Sequence, residues 1–93
     1  MDISLGEVVK SKAGRDKGRY FIVRENAGEE YVLIVDGDLR KLEKPKKKKI
    51  KHLEGTGDVI EELIPSNQKN GRKLTNANFR KALSGYLSSR GIG

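Results

Sequence analysis

Few residues of this 93-residue chain could carry acid–base or nucleophilic chemistry. It has no cysteine and a single histidine, His52, so disulfides, thiolate nucleophiles and thiolate metal sites are excluded. One histidine cannot hold a metal alone. The nearest carboxylate pairs are Glu29-Glu30, Asp36 with Asp38, and Glu61-Glu62. Paired carboxylates take separate acid and base roles only in a shared, partly desolvated site, and most of these lie in turns or beside lysines. Asp36-Gly37-Asp38 lacks the later ligands of a calcium loop. Gly14-Arg15-Asp16-Lys17-Gly18 lacks the Gly-Lys-Ser/Thr order of a nucleotide-binding loop and runs into a β-rich stretch instead of a helix. The expectation is a protein that is not an enzyme and needs no cofactor or metal.

Positive charge is what the sequence has in quantity. Twenty Lys and Arg stand against 13 Asp and Glu, a net charge of +7, which favours a polyanionic partner. A membrane surface would call for a basic amphipathic helix or a lipidation signal, and neither stands out. No apolar run approaches the roughly 20 residues of a membrane span, and residues 1–6 lack the basic-then-apolar pattern of an export signal. A cytoplasmic, monomeric nucleic-acid binder is therefore expected. Lys12, Arg15, Lys17 and Arg19 cluster about one turn, where Gly14 and Gly18 either serve turn geometry or let backbone approach a ligand. Arg40, Lys41, Lys44, Lys46, Lys47, Lys48, Lys49 and Lys51 form a second cluster. His52 is either a plain surface residue or one that stacks on a base or meets a phosphate. The lysines of 44–51, interrupted by Pro45, repel one another when free, so a mobile loop that orders on phosphate is expected there.

Those clusters need a scaffold. Apolar residues of the first half come in short β-branched and aromatic runs cut by glycine-bearing turns every eight to twelve residues, the rhythm of a small all-β domain. Strands are predicted at 6–12, 19–25, 31–35, 39–42 and 49–53, with a polar turn at 13–18, a hairpin turn at 26–29 and a type I′ turn at Asp36-Gly37. Val8, Val9, Phe21, Ile22, Val23, Val32, Leu33, Ile34 and Ile50 are the expected core. The unbroken apolar runs of the second and third strands imply burial on both sides. Residues 54–73 read as a linker with at most one helical turn. Phe79, Ala82, Leu83, Tyr86 and Leu87 then recur at helical spacing behind the candidate caps Thr75 and Asn76, giving one amphipathic helix at 76–89. A helix of that length is marginal alone and must dock or fray. The five aromatics fall mostly in core positions, with Tyr20 and Tyr31 the ones that could stack on a splayed base.

Val8-Val9, Lys12, Gly14, Lys17-Gly18 and Phe21-Ile22-Val23 resemble the KOW motif, two strands around a glycine-centred loop. More narrowly, Gly6-Glu7-Val8-Val9 followed by the run from Ser11 through Phe21 looks like the bacterial KOW proteins related to archaeal and eukaryotic large-subunit ribosomal proteins. The resemblance covers residues 4 to about 53. Phe21 stands where many KOW members carry a further glycine, which fits the narrower group. The resemblance implies a small SH3-like five-stranded barrel at 4–53; with the C-terminal amphipathic helix and tail at 74–93, read from the helical spacing, the expected fold is mainly β with one α-helix. The resemblance also implies binding of structured RNA through loops, with ribosomal RNA and ribosomal proteins as partners. The alternative is a protein-interaction adaptor in translation or transcription, with an apolar groove under Phe79, Leu83 and Leu87.

Overall fold

A computed structural model describes residues 3–64 and 73–92 of the chain. Five strands form one antiparallel sheet: β1 Glu7–Ser11, β2 Tyr20–Asn26, β3 Tyr31–Val35, β4 Lys46–Lys49 and β5 Leu53–Val59. They lie in the order β4-β3-β2-β1-β5. A 14-residue helix, α1 Asn76–Ser89, follows. The fold is mainly β with one C-terminal helix, as expected, and β3 and α1 keep the predicted limits.

Two apolar faces result from strand alternation. Val9, Phe21, Val23, Val32, Ile34 and Leu53 pack together on the inner face, with Ile50 partly buried against them. On the outer face Val8, Ile22 and Val35 stand in register across three strands and pack with Leu63, Phe79 and Leu83. The runs 20–23 and 31–35 lack polar alternation because the helix seals the second face. Leu33, expected in the core, is half-buried, whereas Val35 is fully buried.

The predicted fourth strand at 39–42 is a turn. Asp36 Oδ1 accepts hydrogen bonds from the amides of Asp38 (2.9 Å) and Arg40 (2.8 Å), Gly37 takes φ 78°, and Leu39 projects into solvent. The strand comes instead from the four lysines of β4, which pair with β3 from Tyr31↔Lys49 to Ile34↔Lys46. Lysine-rich edge strands are common because charge deters edge-to-edge aggregation. The expectation of a mobile loop at 44–51 is thus corrected: 46–49 is strand, and 50–52 is a single 3₁₀ turn. The predicted fifth strand at 49–53 is thereby interrupted at 50–52, and β5, Leu53–Val59, runs on through 54–59, which were assigned to a linker. Its irregular pairing with β1 is stitched by Thr56 Oγ1 donating to Val8 O (2.7 Å) and by the Gly57 amide donating to Glu7 Oε2 (3.1 Å). The remainder of that predicted linker is described up to Ile64 and at Lys73; 65–72 lie outside the described residues.

The helix belongs to the fold. Thr75 Oγ1 accepts from the Asn78 amide and Asn78 Oδ1 from the Thr75 amide, a reciprocal cap that satisfies two otherwise orphaned donors. Phe79 and Leu83 are buried. Asn76 Oδ1 accepts from the Leu42 amide at 2.8 Å, and Arg80 Nη1 donates to Gly37 O at 3.3 Å. The turn approaches so closely that a Cβ on Gly37 would strike the Asn76 carbonyl and the Arg80 amide, a second reason for glycine besides its positive φ. At the far end, the Tyr86 hydroxyl (2.6 Å) and Arg90 Nη2 (2.9 Å) both donate to Asp58 Oδ2 in β5.

Candidate nucleic-acid interface

The first basic turn, between β1 and β2, is built around a carboxylate. Gly14 (φ 83°) and Gly18 (φ 90°) occupy the left-handed region, so the chain reverses tightly enough for the Gly18 amide to donate to Ser11 O at 2.8 Å. Inside the turn Asp16 is buried. The Ser11 hydroxyl lies 3.0 Å from both Asp16 Oδ1 and Ala13 O. Lys48 Nζ donates to Asp16 Oδ1 (3.1 Å) and to Ala13 O (2.8 Å), and Lys46 Nζ lies 3.2 Å from Asp16 Oδ2. Burial alone would raise the Asp16 pKa, but the hydrogen bonds from Lys48, Ser11 and Lys46 and the Lys48 charge outweigh it and lower it to about 2.

This anion joins segments some thirty residues apart. Through Asp16 the turn is tied to β4; through the Lys12 amide donating to His52 O (2.8 Å) it is tied to the 3₁₀ turn before β5. Through Arg19, 3.9 Å from Asp36, it meets the 36–40 turn. Lys12, Arg15, Lys17, Arg19, Gly14 and Gly18 are all exposed here, as are Lys41, Lys44 and Lys51, while Arg40 and His52 are half-buried. The two clusters therefore meet at the first turn, which borders β4, the 50–52 turn and the 36–40 turn. Cations held apart by a scaffold present a positive field that a phosphate backbone can follow.

The lysine run divides by strand parity. Lys46 and Lys48 pair in register with Ile34 and Val32 of the inner face, and the Lys48 side chain, 8 % exposed, is committed to Asp16. Its assignment to phosphate contact is corrected: Lys48 is a structural cation. Lys47 and Lys49 take the opposite side, their ammonium groups 4.7 and 5.9 Å from the Tyr31 ring centroid. Tyr31 is half-buried beneath them, and Tyr20 similarly carries Lys10 at 5.7 Å. The sequence reading missed two residues. Asp16 was the lone acid among four cations of one turn, a signal that a buried counter-ion was needed. Arg80 sits on the polar side of the helix, and nothing local foretells that this side meets Gly37.

No group of three or more His, Asp or Glu residues that could hold a metal ion occurs among the described residues. No helix among them is long and apolar enough to cross a membrane. No protein-family model matches the chain, and no curated protein matches it.

Proposed function

We propose that the chain is an RNA-binding KOW-type domain, associated with the ribosome, that grips the phosphate backbone with its basic turns. The observation that carries the reading is the Asp16–Lys48 tie, which joins β4 to a turn bearing four exposed cations. The resemblance at 4–53 supports it. So does the sheet order, a β1–β4 meander with β5 returning beside β1, whose edge strands are linked by a three-residue turn suited to barrel closure. Shape, phosphates and 2′-hydroxyls are the features that a loop-borne cationic surface reads in RNA. Lys12, Arg15, Lys17, Arg19, Lys41, Lys44 and Lys51 are the contact residues, with Gly14 and Gly18 allowing close approach of the turn.

The adaptor reading has less support, because Phe79 and Leu83, two of the three residues of its expected groove, are buried in the chain's own core and the third, Leu87, is half-buried. The test is equilibrium binding of fluorescent ribosomal RNA fragments at several salt concentrations. Replacing Arg15, Lys17 and Arg19 by Gln should flatten the slope of log affinity against log salt by about 2.1–2.7, at ~0.7–0.9 per lost phosphate contact. The melting curve should hardly move, since the one ion pair involved, Arg19–Asp36, is long and half-exposed. An unchanged slope would remove the first turn from the contact surface. Crosslinks in cells spread evenly over transcripts would replace the ribosomal assignment with general RNA binding.

A further inference from the structure

Between α1, the first turn and the 36–40 turn lies an open cleft of about 510 Å³, lined by Arg19, Tyr20, Arg80, Leu83, Leu87 and Ile92 among others. Its volume lies in the range of small-ligand sites, and its lining mixes apolar side chains with two arginines, two aspartates and two serines. We propose that this cleft receives a single unpaired ribonucleotide of the bound RNA. The proposal rests on the RNA-binding reading and gives it a specificity site.

Two arginines stand at the cleft, and neither is consumed. Among the described residues Arg19 keeps only a 3.9 Å pairing with Asp36, and Arg80 only a 3.3 Å hydrogen bond to Gly37 O. A guanidinium has five donors in a planar fork that matches phosphate, so both retain donors for the nucleotide's phosphate. Leu87 and Ile92 of the helix end, with the half-buried Tyr20 ring, supply apolar surface for a base removed from its stack. Asp36 is spent inside its turn on the Asp38 and Arg40 amides. Asp38 is exposed at the lining and, as an acceptor, suits a ribose hydroxyl, the group that separates RNA from DNA. Arg19 belongs to both the phosphate-gripping turn and the cleft, so a strand following the turn passes the opening. That continuity, with the paired arginines, selects a nucleotide over an apolar peptide.

The test compares, with the whole chain, a hairpin RNA carrying one bulged adenosine and the same hairpin fully paired. Base stacking on a protein surface contributes about 1–3 kcal/mol, so the bulged hairpin should bind roughly tenfold tighter. Ser84→Trp, at an exposed helix position on the cleft, should block it and abolish that preference while leaving the paired hairpin's affinity within about twofold. Arg80→Gln should reduce the preference, with circular dichroism confirming the helix. Replacing the bulged residue by its deoxy form should weaken binding, and Asp38→Asn should lessen that discrimination. If the protein binds both hairpins and Ser84→Trp leaves the bulge preference unchanged, or there is no preference, the cleft proposal falls while RNA binding stands. If neither hairpin binds at low salt, the RNA reading falls first and the cleft with it.

Discussion

Lys46 to Lys49 are four identical residues in a row, yet they live in two environments. Lys46 and Lys48 turn toward a buried carboxylate and hold a loop in place; Lys47 and Lys49 lie across a tyrosine on the other side of the same strand. Side-chain direction alternates along a strand, so composition alone cannot say which lysine is structural and which is free to meet a ligand. The partner decides. Asp16 supplies a full counter-charge in a largely buried site, where removing one member strands the other, while an exposed cation over an aromatic ring gains only about 0.5–1 kcal/mol.

The same contrast holds for the two sheet faces, and the largest effect expected lies there. The buried cluster of the inner face is made of strand residues, but that of the outer face includes Phe79 and Leu83 of α1. Phe79→Ala should cost about 3–5 kcal/mol in urea unfolding. A truncation at residue 73 should leave Val8, Ile22 and Val35 uncovered and the sheet poorly folded, not merely less stable. A loss under 1 kcal/mol for Phe79→Ala would show that the helix adds little to that face.

Next in size is the ion cluster. Asp16→Ala strands the Lys48 ammonium in a buried site and should cost about 3 kcal/mol, in the range for breaking a buried pair. Lys48→Gln should cost less, because an amide can still donate to Asp16 or Ala13 O. Equal losses for Lys47→Gln and Lys48→Gln would erase the distinction between the two sides of β4.

Acid should reveal the same cluster in the unaltered protein. The folded Asp16 pKa of about 2 lies below its ordinary 3.8, so its ionised form favours folding. That contribution is complete above about pH 5, declines as pH falls through 4, and is gone near pH 2. It amounts to about 2 kcal/mol at 1.36 kcal/mol per pH unit. Chemical denaturation at pH 6, 4 and 2.5 should show Asp16→Asn losing less stability on acidification than the parent protein.

The smallest stability effect belongs to the outward pair. Lys47→Gln with Lys49→Gln should change stability by no more than about 1–2 kcal/mol, the worth of two exposed cation–π contacts. If these lysines also touch phosphate, the double variant should flatten the salt slope of RNA binding by about 1.5. An unchanged slope would confine contact to the first turn and its neighbours.

Much of the scaffold was legible because local physics agreed with the fold. The β-branched runs at 20–23 and 31–35 had no rival element, and the 3.6-residue spacing from Phe79 to Leu87, behind Thr75, defined a helix whose limits hold. The two unbroken runs even announced that both faces would be covered. What read wrongly were segments whose state depends on a distant partner. Residues 39–42 carry apolar side chains, but the Asp36 carboxylate curls the chain before they can pair. Residues 46–49 look self-repelling until Asp16, some thirty positions earlier, is brought beneath them, and 54–59 look like a linker until β1 offers an edge. The sequence by itself determined the charge, the apolar periods and the glycines that make the first turn. Tertiary structure alone decided which lysines are spent on the fold, that the first turn borders β4, the 50–52 turn and the 36–40 turn, and that Arg19 and Arg80 line one cleft. Counter-charge pairing and edge pairing act between residues far apart in the chain, and neither leaves a local period to read.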